Sequence, residues 1–131
     1  MSRRPGERVT ALDAVALARV RAHGGRGRIA MRRLYRRAAF AAPVNFVDYA
    51  VLAPGTSIGV HRHRADNEEI YLVLSGRGRM HLDGREFAVG PGSVVVNRPG
   101  GQHGLENTGR AALRLFVVEV ALARRAPRSS K

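Results

Sequence analysis

Two histidines two residues apart, His61 and His63, head a small set of side chains in this 131-residue chain that could hold a metal ion. In an extended strand alternate side chains face the same way, so both imidazoles look to one side while Arg62 looks to the other. A pair of glutamates follows at Glu68 and Glu69, and a third histidine, His103, lies several turns later. Neutral imidazoles and a carboxylate converging from neighbouring strands are a donor set for a divalent transition metal. The chain has no cysteine, which removes thiolate ligands, a thiol nucleophile and a disulfide framework together. His23 and His81 read as ordinary residues, His81 sharing a solvated strand face with Arg79 and Asp83.

Strands must position these groups. Val44 to Leu52 is rich in β-branched and aromatic residues and ends at the turn Ala53-Pro54-Gly55. Glu69 to Leu74 is apolar on both alternating sets, Tyr71 and Val73 on the Glu69 side and Ile70, Leu72 and Leu74 on the other, which predicts a strand covered on both faces. Asp83-Gly84 is a two-residue hairpin signal between Arg79 to Leu82 and Glu86 to Val89. Gly90-Pro91-Gly92 turns the chain into Ser93 to Val96, and Leu113 to Val120 is the final strand. Short strands with turns at this density, and little helix after residue 38, predict an all-β sandwich or barrel.

The segment before residue 39 is less regular. Thr10 to Arg21 fits either an amphipathic helix with Thr10 and Asp13 as a capping pair or an alanine-rich strand. His23 to Arg28 is a glycine-rich turn without the Lys-Ser or Lys-Thr of a phosphate-binding loop. Arg28 to Arg37 reads as a strand or short helix docked by its apolar side, its arginine stems lying in solvent.

The formal charge of +13 sits at the ends. Residues 1–38 hold eleven arginines against Glu7 and Asp13, residues 124–131 hold three arginines and Lys131, and residues 39–123 balance eight arginines with eight acids. A neutral body with basic ends is not a basic domain surface, and with little aromatic interleaving for base stacking, nucleic-acid binding by the arginine-rich ends stands only as a third reading, which predicts steeply salt-dependent binding. Every apolar stretch is interrupted too early to span a bilayer, and no signal peptide is evident, so a soluble cytoplasmic protein is the expectation. The length suits one hydrophobic core.

Taken together, Gly55-x5-His61-x-His63, a glutamate and then x6-Gly76 resembles the first conserved motif of the cupin superfamily. Gly92-x7-Gly100-x2-His103-x3-Asn107 resembles the second. Between them, EEIYLVLSGRGRMHLDG is similar to the inter-motif hairpin of small single-domain cupins. The likeness runs from about Phe46 to Val120. It implies a jelly-roll β-barrel of six to eight strands, with a basic, partly flexible N-terminal extension over residues 1–38, a barrel over 39–123 and a flexible basic tail over 124–131. The extension could lend a strand to the barrel or to a dimer partner.

The resemblance further implies one divalent transition metal, Fe, Mn, Ni, Zn or Cu, bound by His61, His63, a glutamate and His103. Counting forward from His63 favours Glu68; counting back from Gly76 favours Glu69. An inserted residue is cheap in the loop Arg64 to Asn67, whereas one in the strand would turn every later side chain to the wrong face, so Glu69 is the assigned donor. Tyr71, beside it, is the candidate proton-handling or substrate-orienting group. The implied activity is metal-dependent chemistry on a small oxygenated molecule, by dioxygenation or by Lewis-acid isomerisation, cyclisation or elimination, with a non-catalytic ligand-binding or sensor cupin as the alternative. A homodimer, covering Ile70, Leu72 and Leu74, is the expected assembly. Ser93 and Arg98 replace the Asp and Pro usual in the second motif.

Overall fold

The computed structural model describes residues 8–122; the start of the chain and the basic tail over 124–131 lie outside the described residues. Ten strands form two antiparallel sheets: β1 (Ala18–Val20), β2 (Ile29–Arg36), β3 (Val44–Leu52), β4 (Ser57–Arg62), β5 (Asn67–Ser75), β6 (Gly78–Leu82), β7 (Arg85–Val89), β8 (Val94–Asn97), β9 (Gln102–Glu106) and β10 (Leu113–Ala121). One sheet runs β1-β2-β3-β10-β5-β8 and the other β4-β9-β6-β7. The fold is the expected all-β barrel, with more strands among the described residues than the six to eight implied. The additional strands come from the N-terminal segment, where β1 and β2 pair with each other and β2 pairs with β3 of the same chain.

Thr10 to Arg21 is neither a regular helix nor one strand. A single 3-10 turn, Leu12–Ala14, precedes β1, and no side chain caps it. The Thr10 hydroxyl shares a hydrogen bond of 2.8 Å with that of Tyr35 instead of capping. Asp83 and Gly84 both take positive φ, 50° and 81°, the conformation that a tight hairpin between β6 and β7 requires.

The core lies between the sheets. From the larger come Ile29, Ala50, Leu52, Tyr71, Val73, Val95, Leu113, Leu115 and Val117; from the smaller, Ile58, Met80, Val89 and Leu105. A second apolar layer covers the outer face of the larger sheet, where Leu34, Val47 and Tyr49 meet Leu12, Val15, Phe40, Leu74 and Phe116. The chain's own N-terminal segment therefore covers part of the face on which Leu74 lies, while Ile70 stays 38% exposed. Asn107, fully buried, ties the turn after β9 by donating to the carbonyls of Leu52 and Ala111 at 2.7 and 2.9 Å. Ser93 Oγ accepts from the Gly90 amide at 3.0 Å, holding the turn into β8.

Two inward-facing rows at one end of the barrel are polar. Across the larger sheet, Phe46, Glu119, Glu69 and Asn97 stand opposite one another on β3, β10, β5 and β8. Across the smaller sheet, His61 on β4 pairs with His103 on β9. On β4 the register shifts between Ile58 and His61, so both reach the interior although three positions apart. One extra residue on one strand is a β-bulge, a common way to re-aim side chains beside a site.

Candidate metal centre

The ligand atoms of His61, His63 and His103 all lie within 4.8 Å of one another. His61 approaches from β4, His63 from just beyond it, and His103 from β9. Glu69 joins them from the facing sheet, its Oε1 3.2 Å from His103 Nε2 and 3.8 Å from His63 Nδ1. Glu69 is buried; Glu68 pairs with Val120 in the alternate register and faces the other way. The four residues singled out by spacing are thus brought together by three strands and a loop.

Their donor atoms are prepared for a cation. His61 Nδ1 bonds the Gly59 carbonyl at 2.8 Å, which leaves Nε2 as its free nitrogen. His63 Nε2 and His103 Nε2 are buried without a hydrogen-bond partner. Burying such groups unsatisfied costs about 1–3 kcal/mol each, and a metal ion removes that cost. Burial, the largest effect, together with repulsion from His23 and His103, lowers the His61 pKa, which favours the neutral, ligating form.

Four further residues complete the surroundings. His23, read from sequence as an ordinary residue, stacks its ring on His61 with centroids 3.5 Å apart and planes 7° from parallel. Nothing local signals this, because the contact joins a turn to a strand 38 positions later. Glu119 of β10 lies opposite Glu69, its Oε1 3.8 Å from His63 Nε2, while Asn45 donates to its other oxygen at 2.8 Å. Its sequence signal was present: an acid on the same alternation as Leu113, Leu115 and Val117. Asn97, also opposite Glu69, is 1% exposed and neither amide atom has a partner. Tyr71 is buried with its ring edge-on to His103 at 5.4 Å. Burial first, then the charges of Glu69 and Asp48, raise its pKa well above the ordinary phenol value, so it remains protonated.

His81 is more engaged than a solvated face implies. Its two nitrogens meet Glu86 at 2.9 Å and Glu106 at 2.7 Å on the outside of the smaller sheet, away from the centre. Arg98 is exposed, and its carbonyl accepts from the Gly101 amide in the loop before His103.

The family model described as "Cupin domain" matches residues 48–119. The chain belongs to the cupin family. The oxalate-binding protein of Thermotoga maritima is 32% identical over 99 residues, covering 76% of this cupin and 81% of that protein. The solved structure of a predicted oxalate decarboxylase from Thermotoga maritima superposes with a TM-score of 0.83 at 29% identity, covering 88% of this chain and 100% of that one. A cupin 2 conserved barrel protein of Salinispora arenicola shares the fold, with a TM-score of 0.67 at 24% identity over 87% of this chain and 88% of that one. Among the described residues no helix is long and apolar enough to cross a membrane.

Acidification is expected to destabilise the metal-free protein. The folded pKa values of His23 and His61 lie below the ordinary 6.5, so the unfolded chain binds protons first and stability is lost as pH falls through about 6.5. Glu119 opposes this lower on the scale, because burial raises its pKa above 4.5 and its contribution, present in acid, is lost as pH rises through the folded value. Thermal midpoints measured at about pH 7.5 and about pH 5.5 check the sign: the metal-free midpoint falls at the lower pH, and a rise would contradict the histidine linkage.

Proposed function

We propose that this cupin binds one divalent transition metal through His61, His63, Glu69 and His103, and that the centre takes a small oxygenated acid of the oxalate class. The observation that carries the reading is the pair of buried imidazole nitrogens without a hydrogen bond, His63 Nε2 and His103 Nε2, the second 3.2 Å from the Glu69 carboxylate. The name of the Thermotoga relative supports the ligand class. When bound, the metal supplies a Lewis-acid position for a ligand oxygen and, if redox-active, a site for dioxygen.

The chain's own residues do the rest. His61 is held by its bond to Gly59 and its stack on His23, which orients the ring before any ligand arrives. Tyr71, kept neutral by burial, serves as a hydrogen-bond donor toward bound ligand and not as a base. Phe46 stands opposite Glu119 and Val117 opposite Tyr71, and these apolar side chains limit water beside them. A second reading, reversible binding without turnover, is favoured by the word "binding" in the relative's name.

Elemental analysis of untagged protein tests the first half: near-stoichiometric metal is expected, and metal-free protein that takes up none would sink the proposal. Calorimetry of the loaded protein with oxalate, then assays for carbon dioxide release and oxygen uptake, test the second. Oxalate that binds no better than acetate removes the ligand class. Binding without product selects the second reading.

A further inference from the structure

We propose that Glu119 is a fifth donor to this metal centre, so that three imidazoles and two carboxylates hold the ion and leave one open position on a six-coordinate metal. The inference rests on the metal-binding reading above and concerns a residue outside both sequence motifs.

Glu119 is brought to the centre by register. It stands directly opposite Glu69 in the β10–β5 pairing, and facing residues on one side of an antiparallel pair have Cβ atoms about 5 Å apart. Two carboxylates side by side, with side chains only 11% and 13% exposed, repel each other when both are ionised, and a cation between them removes that repulsion. His63 is inserted beside both, one nitrogen 3.8 Å from each carboxylate, and the nitrogen facing Glu119 is the buried one without a partner.

The distance discriminates between kinds of contact. At 3.8 Å, His63 Nε2 and Glu119 Oε1 are too far apart for a hydrogen bond, which needs about 2.7–3.2 Å. Two donors bound at about 2.1 Å to one ion lie roughly 3–4.2 Å apart, depending on the angle between them. The spacing of 3.8 Å falls in that range, as does 3.2 Å between Glu69 Oε1 and His103 Nε2. The ligand atoms of His63, Glu69 and Glu119 all lie within 4.8 Å of one another, and this group shares His63 with the three-histidine group.

The carboxylate is also held as metal-binding carboxylates are. Asn45 donates to Oε2 at 2.8 Å, fixing the group and leaving Oε1 toward His63. The Arg33 guanidinium is committed to Asp48 through two hydrogen bonds of 2.9 and 3.1 Å and acts on Glu119 only through space. Two carboxylates with three neutral imidazoles balance a divalent charge, so the loaded centre is neutral. A ligand then enters through one position, and a chelating acid needs Glu119 to yield its place.

Water-proton relaxivity of the full-length protein loaded with Mn(II) tests this. Wild type is expected to carry one exchangeable water on the ion and Glu119→Ala two, so the inner-sphere relaxivity per bound Mn(II) rises about twofold. Equal relaxivity at equal loading overturns the proposal while leaving the metal-binding reading intact. Wild-type protein that binds no Mn(II) or other divalent transition metal overturns both. Should Glu119→Ala lose the native circular dichroism spectrum, Glu119→Gln keeps the shape and removes the charge. That variant is expected to bind Mn(II) at least about tenfold more weakly, with an altered electron paramagnetic resonance spectrum. An unchanged spectrum overturns the assignment.

Discussion

His103→Ala is expected to abolish stoichiometric metal binding and, with it, any stabilisation of the protein by added metal. His103 is 1% exposed on β9, directly across from His61, with Nε2 3.2 Å from the Glu69 carboxylate. Losing a partner that only orients a ligand already costs about 10–100-fold in affinity, so losing a donor costs more than about 100-fold. A ligand present at about 1,000 times its dissociation constant stabilises the folded state by about 4 kcal/mol, and that increment disappears in the variant. The metal-free stability moves less. Removing the ring opens a cavity but also removes a buried nitrogen that makes no hydrogen bond, and these contributions have opposite sign. Thermal unfolding with and without metal, on both proteins, separates the effects. A variant with full metal content and an unchanged metal-induced shift would falsify the assigned donor set.

Gly59→Ala is expected to destabilise the protein by about 2–4 kcal/mol and to release His23 from His61. The reason is close approach of two backbones, not dihedral strain, since Gly59 has no positive φ. A Cβ at Gly59 would overlap the His23 carbonyl oxygen and press on the Gly25 amide; one at Gly25 would overlap the Ser57 carbonyl oxygen. The turn is docked there by backbone bonds, Gly59 N–H to Ala22 O and Ser57 N–H to Arg26 O, both 3.0 Å. Backbone against backbone cannot yield by rotating a side chain, so the turn must lift and give up these bonds. Denaturant unfolding measures the loss, and the His23 and His61 ring resonances report the stack. Gly84→Ala is the comparison: its φ is 81° but a Cβ there meets nothing within 4 Å, so the stack survives. Native stability and ring shifts in Gly59→Ala would contradict the close-packing account.

Strand-level features were legible because they are local. The β-branched run Val44 to Leu52 coincides with β3 (Val44–Leu52), and alternation from Glu69 correctly separates inward Tyr71 and Val73 from outward Ile70, Leu72 and Leu74. The Asp83-Gly84 signal coincides with a hairpin. Thr10 to Arg21 was not legible, since an alanine-rich pattern fits two periods and tertiary contact decides. There the 3-10 turn at Leu12–Ala14 forms where Leu12 and Val15 dock on the outer apolar layer.

For the centre, the sequence by itself determined the residue types and the face of each strand: His61 and His63 together, Glu69 in preference to Glu68, His103 within reach. It did so because side-chain direction in a strand depends only on parity within that strand. What stands next to what depends on pairing between strands far apart in the chain, and only the tertiary structure decided that. Register sets Glu119 against Glu69, a bulge turns Ile58 and His61 to the same interior, and two glycines let a distant turn lay His23 on His61.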